Sequence, residues 1–227
     1  VIAASTLCTM TPPESPRLRR SQSAEDSAAR RVRRQLQLQQ SLDDLLRHKS
    51  FRDISVTEVA AGAGISHSSV YTYYGDRDAK TEILRDAMDA RFAALMARVD
   101  LRFGRMENFE EYIGRLLDDI IGFWEESGGL LGAAMATSFE AKNAEPEWWA
   151  GHMAPWEDAL CEAVEEARFA DLLPKDAGPA RPLVQMILGM VFKRCHDVLT
   201  APHTDEDRSE LRELLQIAVL RILGKAC

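Results

Sequence analysis

The chain has 227 residues, 46% of them hydrophobic and 28% charged, and a net charge of −8. That is the balance of a globular protein long enough for two domains. No apolar stretch reaches the roughly 18–20 residues a membrane helix requires. The four cysteines, Cys8, Cys161, Cys195 and Cys227, form no CxxC pair. They point to a reducing cytoplasm rather than a disulfide scaffold. Cys195 and His196 are adjacent, yet no second ligand pair stands at zinc-site spacing, so neither a metal nor a cofactor is expected.

The charge is unevenly spread. Residues 1–80 hold 12 Lys and Arg against 9 Asp and Glu, whereas residues 81–227 hold 16 against 27. Seven of the basic residues fall between Arg17 and Arg34. A basic head on an acidic body suits contact with nucleic acid, because the head is presented to phosphates and the body is repelled.

In chain order, Val1 to Met10 carry no basic leader or cleavage site and do not read as a signal peptide; Met10 offers a second start. The Pro-, Ser- and Arg-rich stretch after it completes a disordered basic arm over residues 1–23. In it Arg17, Arg19 and Arg20 could neutralise phosphates or enter a minor groove. From Ala24, apolar residues at helical spacing predict a helix ending near Ser50. Ser55-x-x-Glu58 is a capping box opening a short helix that Gly62 and Gly64 stop. Ser66 caps a third helix to about Tyr74, and Asp76 a fourth to about Phe103. Helices follow over 107–127, broken by Gly128-Gly129, then 130–142 and 146–169. After a loop over 174–182, two last helices cover about 182–200 and 205–224. The chain reads as all-α, with about nine helices and no alternating strand pattern. Residues 24–75 form one domain and 76–227 another.

Residues 55–75 carry the most specific signal. A helix-turn-helix needs a small residue where its helices cross and a flexible turn residue. Ala60 and Gly64 supply these, and Val59, Ile65, Val70 and Tyr74 pin the small core. The second helix then presents His67, Ser68, Ser69, Tyr71, Thr72 and Tyr73, with no acid among them. Such groups can donate to phosphates and base edges, and the Thr72 methyl can meet a thymine methyl.

The run Ile54-x-Val56-x-x-Val59-Ala60-x-x-Ala63-Gly64-Ile65-Ser66-x-x-x-Val70-Tyr71-x-Tyr73-Tyr74 resembles the TetR family of repressors. The motif match covers about residues 45–85, and the aromatic-rich body is similar to the EthR-like branch. The resemblance implies three N-terminal DNA-binding helices and a C-terminal helical domain for ligand binding and dimerisation. It assigns DNA contacts to Thr57, His67, Ser69, Tyr71, Thr72 and Tyr73, and a phosphate contact to Arg77, where most members have Lys. Tyr73 stands where His is commonest and Tyr74 where Phe is. Lys80 stands where an apolar residue is usual, which implies a looser seam between head and fourth helix.

The body concentrates large apolar groups, as small-molecule sites do. The expected pocket, elongated and mainly apolar, draws on Tyr112, Leu116, Ile120, Phe123, Trp124, Met135, Phe139, Trp149, Trp156, Met186, Met190, Phe192 and His196. Thr137 and Asn143 are further polar candidates. Stripes of Leu183, Ile187, Val191 and Val198, and of Leu211, Leu214, Leu215, Ala218, Val219 and Ile222, suit a homodimer through the last two helices. The expected protein is therefore a cytoplasmic, non-enzymatic transcriptional regulator. It is a homodimeric repressor of palindromic double-stranded operator DNA, released by a small hydrophobic effector, with no membrane partner. A DNA-binding activator, an architectural protein without effector and a helical enzyme are the competing classes; no Ser-His-Asp motif or phosphate-cradling loop supports the last.

Overall fold

A computed structural model describes residues 16–75, 78–104, 108–140 and 145–225; the side chains of 16–25, 138–140, 145 and 146 lie outside that description. Among the described residues there are eight α-helices and no strand: α1 Pro16–Leu46, α2 Val56–Gly62, α3 His67–Tyr74, α4 Ala79–Arg98, α5 Phe109–Glu140, α6 Glu145–Phe169, α7 Ala180–Leu199 and α8 Asp205–Ile222. A 3-10 turn, Phe51–Asp53, joins α1 to α2. No described helix is long and apolar enough to cross a membrane.

The head is built from α1 to α3. Leu38 and Leu42 of α1 are fully buried against Ile54, Val59, Ala60 and Val70. The Ser55–Glu58 capping box forms as its spacing predicts, with both reciprocal bonds present. Gly64 takes φ 64° in the turn, a conformation cheap only for glycine. Gly62 serves packing instead: a Cβ there would collide with Ser41 Oγ, which donates to the Val59 carbonyl at 2.9 Å across the α1–α2 contact.

Three expectations are corrected. Residues 16–23, read as part of the disordered arm, lie in α1, which begins at Pro16. Proline is at home in a first turn, and extending a helix already anchored downstream costs little. Residues 1–15 lie outside the described residues. The predicted break at Gly128-Gly129 does not occur, and α5 runs unbroken through 32 residues. The missing side chains admit neighbours: a Cβ on Gly129 would stand 3.1 Å from Leu46 Cβ, and one on Gly128 would stand 3.9 Å from the Leu199 carbonyl. The expected nine helices thus become eight. Finally, α4 stops at Arg98 rather than near Phe103, because α5 holds the next carbonyls. Tyr112 Oη donates to Leu101 O at 2.8 Å, and Arg115 donates to Asp100 O at 2.8 Å.

In the body, α5 packs against α4, α7 and α8, and α7 against α6 and α8. Arg212 forks onto Asp118 at 2.8 and 3.2 Å, tying α8 to α5. Ile187, Val191, Leu211, Leu215 and Val219, from the stripes expected at a dimer face, are buried inside the chain. Leu214 and Met186 stay 52% and 53% exposed.

Candidate functional site

The turn at Gly64 delivers α3 to the surface. Ser66 caps it, its Oγ accepting from Ser69 N at 3.2 Å. His67, Ser68 and Thr72 are exposed, and so is Thr57 at the start of α2. Ser69, Tyr71 and Tyr73 are half-buried, and both tyrosines pack against the core, so only part of each ring is available. Tyr71 is tied to His67 one turn earlier, with Oη 3.3 Å from Nε2 and the rings edge to face at 5.0 Å. That pairing presets the two side chains as one unit. Arg31 of α1 donates to the Tyr73 carbonyl at 3.4 Å, which sets a guanidinium at the end of α3. Arg77 and Asp76 lie outside the described residues.

The seam between head and α4 is where Lys80 departs from the expectation. Instead of loosening the seam, Lys80 Nζ donates to the carbonyls of Phe51 and Ile54, each at 2.8 Å, and sits 4.4 Å above the Phe51 ring. Burial lowers its pKa from the usual lysine range. The ammonium satisfies carbonyls that an apolar side chain would leave bare. Farther along α4, Arg91 reaches Asp43 of α1 at 3.0 Å. On the opposite side, Asp89 accepts from two residues of α6, Trp148 Nε1 at 3.0 Å and His152 Nε2 at 2.8 Å. Helix α4 is thereby fastened to both halves of the molecule.

Most residues expected to line the ligand pocket are core. Tyr112, Leu116, Ile120, Phe123, Trp124, Trp156 and Phe192 are buried. Tyr112 already spends its hydroxyl on Leu101 and packs on Phe103 and Phe109. Met135, Trp149 and Met190 are half-buried against the core, Trp149 edge-on to Phe192 at 5.8 Å. Met186 is at the surface, the Phe139 side chain lies outside the described residues, and so does Asn143.

The structure instead opens a cavity of about 710 Å³ at the junction of head and body. Its head side is the segment Leu46–Asp53, and its body side comes from α5 and α7. Of the expected residues it brings together Trp124, His196 and Thr137. Sequence reasoning missed the basic segment Arg47–Arg52 and the glycines 128, 129 and 132 that leave room beside it; read as contact residues rather than breakers, those glycines were the available signal. A second cavity of about 710 Å³ lies between the 99–104 connection and α6, away from the head. Among the described residues no cluster of three or more His, Cys, Asp and Glu could hold a metal. Cys195 is fully buried, and burial pushes its thiol up to about 12, leaving it inert as a nucleophile at neutral pH.

This order of helices, with a turn-linked pair at one end and a bundle at the other, recurs in solved structures. The chain has the fold of TetR-family transcriptional regulators. The transcriptional regulator FadR from Bacillus subtilis, solved in complex with stearoyl-CoA, superposes with a TM-score of 0.64 at 13% identity, over 85% of this chain and 99% of that one. A TetR transcription regulator from Haloarcula marismortui gives 0.63 at 15% identity, over 84% and 96%. A TetR-family regulator from Streptomyces coelicolor gives 0.57 at 20% identity, over 83% and 78%. No protein-family model and no curated protein sequence matches the chain. The TetR-like fold assigns α1–α3 to the head and α4 to the link between head and body.

Proposed function

We infer that the chain is a ligand-responsive, DNA-binding transcriptional regulator: a cytoplasmic repressor that leaves its operator when a small, mainly apolar effector binds. The observation that carries this reading is α3, which exposes His67, Ser68 and Thr72, has no acidic residue and ends beside the Arg31 guanidinium. A carboxylate on that face would meet phosphates; hydroxyls and an imidazole can donate to them. Thr57, Ser69, Tyr71, Tyr73 and Arg77 complete the proposed contact set. FadR of Bacillus subtilis binds stearoyl-CoA on this fold, which favours a small-molecule effector here over catalysis.

A homodimer through α7 and α8, with the exposed Met186 and Leu214 on those helices, would read a palindrome. Its two copies of α3 would then stand about 34–36 Å apart, or a multiple of that. An effector favouring a different spacing shifts the population off DNA by no more than its differential affinity for the two shapes. The likeness to the EthR-like branch rests on the aromatic body alone.

Fluorescence anisotropy with duplexes selected from a random pool tests the reading. The chain should prefer its selected duplex over random competitor, and His67→Ala and Thr72→Ala should each cost about 1–3 kcal/mol on that duplex. Equal binding to selected and random duplexes at low salt ends it.

A further inference from the structure

The junction cavity holds two buried polar atoms without a hydrogen-bond partner among the described residues, Trp124 Nε1 and His196 Nδ1. Their rings are neighbours, with centroids 5.7 Å apart. The imidazole lies over Gly132, which also lines the cavity: a Cβ there would stand 3.7 Å from Nδ1. An indole N–H can only donate, and an imidazole nitrogen can donate when protonated. Leaving such donors buried and unmatched is costly, so native proteins seldom keep them without a purpose. The other polar groups of the wall are engaged. Thr137 donates to the carbonyls of Ala133 and Ala134, Glu125 is held by Arg208 at 2.8 Å, and Asp53 accepts from Ser50 at 2.6 Å. Arg47, Lys49 and Arg52 line the head side and make it basic, while Leu46, Phe51 and Leu199 supply apolar surface.

We propose that this cavity binds a small monocarboxylate with an apolar remainder, its carboxylate accepting from Trp124 Nε1–H and His196 Nδ1–H. The proposal rests on the reading of the chain as an effector-responsive regulator and supplies the effector's chemical class. Basic groups at the wall disfavour a cation, and two unmatched donors call for an acceptor. The remainder of the ligand lies against Leu46, Phe51 and Leu199. Phe51 belongs to the segment whose carbonyls hold Lys80, so an occupant presses on the attachment of α4 to the head.

The test is titration calorimetry of the full chain at pH 7 with octanoate and 4-phenylbutyrate, each beside the matching primary alcohol. At least one carboxylate should bind about tenfold or more tighter than its alcohol. Trp124→Phe should abolish that preference. Ala136→Trp, which fills the cavity from an exposed position on α5 and so spares the core, should weaken binding at least tenfold. Binding of neither carboxylate, equal binding of acid and alcohol, or affinity unchanged by Ala136→Trp overturns the proposal. Duplex binding is measured separately. Carboxylate binding without any DNA preference would sink the regulator reading and leave the cavity's ligand class standing. DNA binding released by other effectors would do the reverse.

Discussion

One carboxylate oxygen, Asp89 Oδ1, lies 2.8 Å from His152 Nε2, and the same imidazole stacks on Phe92 with ring centroids 4.5 Å apart. Phe92 follows Asp89 by three residues on α4, so one face of that helix grips a single side chain of α6 twice, by hydrogen bond and by ring. Trp148 Nε1 donates to the same oxygen. Asp89→Ala removes the acceptor for both donors. Because Asp89 is half exposed, the loss should be small, about 1 kcal/mol in urea denaturation. Trp148 should become more exposed, with a red-shifted emission. An unshifted spectrum would show that the contact does not hold α6 in place.

Lys80→Met tests the seam. It leaves the carbonyls of Phe51 and Ile54 without their ammonium. We expect a loss of about 2 kcal/mol and faster amide exchange across residues 51–58. Unchanged exchange there would mean that the head is held by its core alone.

Acid should loosen the start of α2. Hydrogen bonds from Lys49 and from the Ser55 backbone and hydroxyl lower the Glu58 pKa from about 4.5 to about 2. The folded value lies below the unfolded one, so this contribution to stability is complete above about pH 4.5 and is lost as pH falls toward 2. Glu58→Gln should be less stable than the parent at pH 7, and the gap should close by pH 2–3. Melting temperatures across that range decide it; a gap independent of pH would assign the effect to something other than ionised Glu58.

Gly62→Ala should destabilise the head by about 1–3 kcal/mol through overpacking against Ser41. Ser41→Ala removes the colliding oxygen, so Gly62→Ala should cost less in that background than in the parent. Additive losses in the double-mutant cycle would refute the collision.

Local chemistry was legible in the sequence where a residue acts on its own neighbours. The Ser55–Glu58 box, the Ser66 cap and the positive φ of Gly64 are each decided within a few residues, and each formed. Partners far along the chain were not legible. Gly128-Gly129 has the composition of a break, yet its function is set by Leu46 and Leu199 crossing it. Lys80 differs from its usual apolar counterpart for a reason that exists only when carbonyls 26 and 29 residues earlier fold back over it. The aromatic body was read as pocket wall, but aromatic rings fill space as readily as they surround it, and only packing distinguishes the two. The cavity arose instead at a basic loop whose composition resembles any solvated connection.

The unbroken α5 also has a practical meaning for engineering. From sequence alone, Gly128-Gly129 is the inviting place to splice in a fluorescent reporter or to cut and permute the chain. At 1.5 Å per residue its 32 residues make a rod of about 48 Å, and the splice would sever that rod where α1 rests on it. The exposed turn at 175–178 is the better port, because an insert there leaves the rod whole.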